Sequence, residues 1–120
     1  MTDLAYDDGG ELVIPIDGFV CVLSTDDAWL VLRDDRVGAQ IGLRREHRAQ
    51  AAALVERAAR VERAVSTDDS ELRVSFDGGE MIVVPADPDV EAWEVRIGNG
   101  AELQVIAAPG GGEPIIFDAR

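Results

Sequence analysis

The chain has 120 residues, 47% of them hydrophobic, and carries 24 acidic against 11 basic residues for a formal net charge of −13. That size accommodates one core, so residues 1–120 are expected to form a single domain, with 1–10 as a flexible acidic tail. The charge repels phosphate backbones and anionic bilayers, which excludes nucleic acid and membrane surfaces as partners. No apolar run approaches the ~20 residues of a membrane span. The acidic start "MTDLAYDDGG" is no secretory leader, so the expected location is the cytoplasm.

Four short apolar runs come first: "ELVIPI" (11–16), "FVCVL" (19–23), "AWLVLR" (28–33) and "GAQIGL" (38–43). Each is bounded by turn residues (Asp17-Gly18, "STDD", "DDRVG") and reads as a strand. Pro15 cannot donate to a ladder, which places its strand at an edge or at a bend. Cys21 is the only cysteine, so no intrachain disulfide forms; its apolar neighbours predict a buried, inert thiol.

Residues 43–66, "LRREHRAQAAALVERAARVERAVS", read as the one helix. Ala51, Leu54, Val55, Ala58, Val61 and Val65 recur at three- and four-residue steps and form an apolar stripe. No N-cap residue stands before Leu43; the stop is placed at "STDDS" (66–70). Residues 44–63 hold six arginines against three acids, whereas the rest of the chain is strongly acidic. A basic segment folded against an acidic body is the simplest use of that asymmetry.

Two hairpins follow. In "SELRVSFDGGEMIVVPAD" (70–87), Leu72, Val74 and Phe76 share a face, with Met81 and Val83 expected as their partners. An Asp77-Gly78 turn pairs Ser75 with Glu80; a Gly78-Gly79 turn sets Asp77 against Glu80, a like-charge pair, so the first is preferred. In "EAWEVRIGNGAELQVIAA" (91–108), Asn99-Gly100 is the expected two-residue turn. "PGGGEP" then leads to a last strand, "IIFD". The predicted fold is α+β: a curled, mainly antiparallel sheet of seven to eight short strands, with the helix of 43–66 packed on one face.

The inventory for chemistry is thin, and no catalytic, cofactor-binding or metal-binding residue is assigned. One His and one Cys cannot complete a zinc site, and "DPDVEAWE" lacks the Gly and final Glu of a calcium loop. His47, among arginines at the predicted helix start, reads as a surface residue. "PGGG" is followed by a strand and has no lysine, so it is a turn and not a phosphate cradle. The residues singled out for interaction are Glu91, Trp93 and Glu94, and the arginines Arg57, Arg60 and Arg63. Alternation sends Glu91 and Glu94 to opposite faces, which works against a carboxylate pair and favours a buried Trp93 beside wet acids. The arginines either meet an acidic partner or pair with the acidic body of their own domain.

Pro85, Asp87, Pro88, Glu91, Ala92, Trp93, Glu94, Pro109, Gly110 and Gly111, in a "DG hairpin, V-P-x-D-P-x-x-E-A-W-E strand, P-G-G turn" arrangement, resemble the C-terminal half of a small actinobacterial family of unknown function. The resemblance covers residues 70–117, with Phe117 where members often carry tryptophan. It implies a fold and carries no activity, ligand or catalytic residue.

The function expected from these readings is a non-enzymatic, acidic protein-interaction domain. The alternatives are a small-molecule-binding domain or hydrolase with a pocket near Trp93, and an immunity- or antitoxin-like protein masking a basic partner. A homodimer through an exposed sheet edge, near Pro15 or at the last strand, is a further expectation.

Overall fold

Short runs of β-branched and large apolar residues, broken by Gly, Asp and Pro, build most of the regular structure as strands. A computed structural model describes residues 6–7, 9–16, 18–20, 22–25, 30–34, 38–98, 100 and 102–119. Among them are the strands β1 (Glu11–Ile14), β2 (Val22–Thr25), β3 (Leu30–Asp34), β4 (Ala39–Leu43), β5 (Val61–Thr67), β6 (Leu72–Phe76), β7 (Met81–Val84), β8 (Trp93–Ile97), β9 (Leu103–Ile106) and β10 (Ile115–Asp118). One helix, α1 (Arg48–Glu56), follows a 3-10 turn at Arg45–His47. The α+β class and the antiparallel pairing agree with the sequence reading, whereas the single sheet of seven to eight strands does not. The ten described strands form two sheets, ordered β1-β5-β6-β7 and β10-β9-β8-β4-β3-β2. Twist limits how far one open sheet extends before it splits, and the chain here divides its strands between two layers.

The two layers share one core. Leu12, Ile14, Ala64, Leu72, Val74, Phe76, Ile82 and Val84 come from the four-stranded sheet; Leu32, Ile41, Leu43, Trp93, Val95 and Val105 come from the six-stranded one. Ala51 and Leu54 add the buried side of α1. The helix adjoins β2, an edge of the larger sheet, and Gln50 Nε2 donates to the Met81 carbonyl on β7, an edge of the smaller one (2.6 Å). It therefore reaches an edge strand of each sheet.

The helix is also much shorter than the predicted 43–66. Leu43 closes β4, and residues 61–67 are a strand. The stop is at Ala58, which adopts φ 53°. Ala59 N–H donates to the Leu54 carbonyl (2.9 Å) and Ala58 N–H to that of Val55 (3.0 Å), which is a Schellman ending with alanine where glycine is usual. Ala59 and Leu54, both buried, supply the apolar contact of that motif. The helical spacing past Ala58 has another origin. A register shift in β5 between Val61 and Arg63 adds one residue. Val61 and Ala64 then both point inward three positions apart, so a bulged strand imitates a helix stripe.

The β6–β7 hairpin departs from both registers weighed in the sequence. Phe76 N–H donates to the Glu80 carbonyl and Gly79 N–H to that of Phe76 (both 3.0 Å), so the loop is three residues, with Gly79 at φ 88°. One extra loop residue reverses the faces of β7. Ile82 and Val84 lie opposite Val74 and Leu72 and are buried, while Met81 and Val83, the expected partners, are exposed. At the second hairpin Ile97 faces Leu103, one residue more than an Asn99-Gly100 loop gives; Asn99 itself, like Cys21, lies outside the described residues. Within the first ten residues, Tyr6 bridges Leu12 and Asp7 N–H donates to the Glu11 carbonyl (2.8 Å), so this part folds back beside β1.

Candidate functional site

Trp93 heads β8 and is fully buried. Its Nε1 donates to the Ser70 carbonyl (2.9 Å) in the turn between β5 and β6. Ser70 is buried at φ 62°; its Oγ donates to the Gly112 carbonyl (2.6 Å) and accepts the Ala108 N–H (3.0 Å). A few residues away, Asp87 Oδ1 accepts the N–H groups of Asp89 and Val90, Oδ2 accepts Arg44 Nη1 (2.9 Å), and the Asp87 carbonyl accepts the Gly110 N–H. The two backbone donors, with Arg44 adding to them, hold the Asp87 carboxyl below its usual range. The "DP", "EAWE" and "PGG" motifs are thus one junction that ties the β5–β6 turn of one sheet to β8 and the β9–β10 loop of the other. The polar groups named here bond within the chain, and Trp93 has no exposed surface.

The other singled-out residues are scattered. Glu91 is exposed in the loop before β8, and Glu94, on the outer face of β8, pairs with Arg96. Arg57 is a clasp: Nε and Nη2 hold both oxygens of Glu80 (2.7 and 2.6 Å), and Nη1 holds Asp77 (2.8 Å). Bonding to Arg57 lowers the pKa of Asp77 and of Glu80 in turn. A Cβ at Gly78 would come within 2.5 Å of Glu80 Oε1, so only glycine leaves room for the clasp over the turn. Arg63 meets Asp7 (2.8 Å), while the exposed Arg60 gives its backbone N–H to Asp77. Arg44, Arg57 and Arg63 therefore pair with acids of their own domain, and the predicted interaction residues do not converge on one surface. His47 is not the surface residue expected: its side chain is 14% exposed, with Nε2 buried and 3.8 Å from Glu46. No group of three or more His, Cys, Asp or Glu among the described residues is placed to hold a metal ion. None of the described helices is long and apolar enough to cross a membrane.

A different arrangement lies at β10. Among the described residues this strand pairs with β9 alone and is exposed along its whole length, with Ile115 at 40%, Ile116 at 39% and Phe117 at 55%. The outer face of the four-stranded sheet also carries exposed apolar residues, Val13, Met81 and Val83, but there Arg63 and Arg73 spread ion pairs to Asp7, Glu11 and Glu71 around the central Val65. The other sheet edges have neighbours: α1 beside β2, the Gln50 side chain on β7, and residues 6–7 beside β1. Among the described residues β10 is the edge along which no further element lies. The sequence identified this strand and offered the last strand as a pairing edge, but nothing in "IIFD" reports that both of its faces stay wet.

A model of DUF6188, a family of unknown function, matches residues 3–113, and the chain belongs to that family. Comparison with curated proteins and with solved structures returns no match. The matched span contains the whole junction, from Ser70 to Gly112, and ends before β10.

Proposed function

We propose that the chain is a non-enzymatic, cytoplasmic protein-interaction domain that receives a strand along β10. The observation that carries this reading is the unaccompanied edge with three exposed apolar side chains in succession, Ile115, Ile116 and Phe117. Strand addition supplies main-chain hydrogen bonds for affinity and side-chain contacts for selectivity. An apolar edge left uncovered is a hazard that folded proteins otherwise blunt with charge, proline or a covering element. The alternative, a small-molecule site near Trp93, draws no support from the ring itself, which is fully buried. Affinity capture from native lysate, with the unsubstituted chain and Phe117→Lys as baits at low and moderate salt, tests the proposal. A stoichiometric protein held by the first bait and lost from the second is expected; none at either salt contradicts it.

A second reading, masking of a basic partner in the manner of an antitoxin or immunity protein, draws support from the acid surplus. Arg44, Arg57 and Arg63 are already matched internally, which leaves most of the 24 acids to set the surface field. Binding of that kind weakens steeply as salt rises.

A further inference from the structure

We propose that the strand received by β10 is β10 of a second copy of the chain, paired antiparallel about a two-fold axis through Ile116. This rests on the reading of β10 as the contact edge and names its occupant. The backbone fixes the phase. Ala119 N–H donates to the Glu102 carbonyl (2.7 Å), and β10 faces β9 with Ile115 opposite Ile106 and Phe117 opposite Gln104. Hydrogen-bonded and non-bonded positions alternate along an antiparallel pair, so 115, 117 and 119 turn their amides toward β9 and the even positions turn theirs outward.

A two-fold axis then passes through a hydrogen-bonded pair at 114, 116 or 118, or through a non-bonded pair at 115 or 117. An axis at 115 sets the outward groups of Ile116 against Pro114, and one at 117 sets the Ile116 side chain against the Asp118 carboxylate. Pro114 has no N–H to give. Centring on Asp118 sets two carboxylates directly opposite each other, a destabilising arrangement. Centring on Ile116 leaves its N–H and C=O to bond the same groups of the second copy. It also sets Ile115 against Phe117 of the second copy, and Phe117 against Ile115. Each such pair joins a β-branched residue to an aromatic one, a favourable cross-strand combination, and no charge faces a charge between Ile115 and Phe117. The three exposed apolar residues all lie in the seam, and the two six-stranded sheets become one continuous sheet.

The self-match of side chains and backbone phase favours a second copy over an unrelated strand. Charge sets the conditions. Each copy carries −13, so pairing is opposed by a repulsion that salt screens. Pairing through one short strand also buries less than the ~800 Å² per partner of a standard stable interface, so the dimer is reversible and concentration-dependent.

Sedimentation velocity of the full chain, from about 10 to about 500 μM at about 50 and about 500 mM salt, reads the equilibrium. The expected result is monomer giving way to dimer as concentration rises, with a dissociation constant several-fold lower at the higher salt and no dimer from Phe117→Lys. The register is read by oxidation in a Cys21→Ser background. Only a residue on the axis meets itself, at the ~5.5 Å Cα separation a disulfide spans. Ile116→Cys should therefore form a linked dimer, Ile115→Cys and Phe117→Cys should each fail to, and a mixture of the last two should link. Circular dichroism of each variant confirms that the fold is retained. A chain monomeric throughout, association that weakens with salt, or equal linkage from all three positions overturns the self-pairing. Strand addition as such stands or falls separately, on whether Phe117→Lys loses a captured protein that the unsubstituted chain holds.

Discussion

The two ends of the β9–β10 connection behave in opposite ways. At its start, Ala108 and Gly112 are bound to Ser70, which Trp93 caps from below, and every group named there is buried or bonded. Past Pro114 the chain emerges as β10, paired with β9 and exposed along its length. The first region holds the most recognisable residues of the sequence and the second holds a plain apolar run. Recognisability marks where the fold is closed, and the surface best suited to meeting another chain lies beside it.

The largest effect that would sharpen this contrast is Trp93→Ala. Deleting a fully buried indole should cost about 3–5 kcal/mol and leave the Ser70 carbonyl without its donor, read as a shift of the urea midpoint. A cost below about 1 kcal/mol, the range of surface substitutions, would break the comparison. Ser70→Ala comes next. It removes the donor to the Gly112 carbonyl and the acceptor of the Ala108 N–H, both part-buried bonds, for about 1–2 kcal/mol. Ser70→Gly loses the same bonds but relieves the left-handed backbone, so it should be the milder of the two by about 1 kcal/mol. Equal costs would mean that φ 62° stores no strain.

The Arg57 clasp is an intermediate case, an anchor on the wet side of the molecule. Arg57 lowers the pKa of Asp77 and of Glu80, so the folded state holds these carboxylates ionised more firmly than the unfolded chain does. The resulting stability is fully present above the ordinary carboxylate range and is lost as pH falls through the lowered values. Urea midpoints followed from neutral pH downward should therefore fall on the acid side, and Arg57→Met should flatten that limb while leaving the junction variants' costs unchanged. Parallel acid limbs in the two chains would show that the clasp contributes nothing. The smallest effect belongs to β10: Phe117→Lys should move monomer stability by no more than about 0.5 kcal/mol, measured at low concentration. A loss as large as that of the junction variants would make β10 part of the core in all but position.

Much of this contrast was legible in the sequence, and the misses have definite causes. The first, third and fourth strands, the last strand, the presence of both hairpins and the burial of Trp93 follow from apolar runs, turn residues and alternation, whereas β2 (Val22–Thr25) begins late in "FVCVL" and runs into the "STDD" that reads as a turn. The basic segment does fold against acids, as its charge suggested. The helix end was hidden because alanine stands where glycine would have announced it, and because the bulge at Glu62 restores a three-residue apolar step inside a strand. The faces of β7 were reversed by one loop residue: Asp77-Gly78-Gly79 reads equally well as a two- or a three-residue turn, and only the Arg57 contacts and the left-handed Gly79 distinguish them. The openness of β10 was invisible for a different reason. Alternation reports which side of a strand is wet, and a strand wet on both sides has no alternation to report.

The tie between Ser70 and the β9–β10 loop has a bearing on how such a chain can change over time. The Ser70 bonds to the loop end at Gly112, and the strand beyond it leaves Ile115, Ile116 and Phe117 exposed. Its three exposed side chains can therefore be rewritten at small thermodynamic cost while the junction stays as it is. The character of this exposed strand is thus a nearly independent variable, inherited separately from the architecture that displays it.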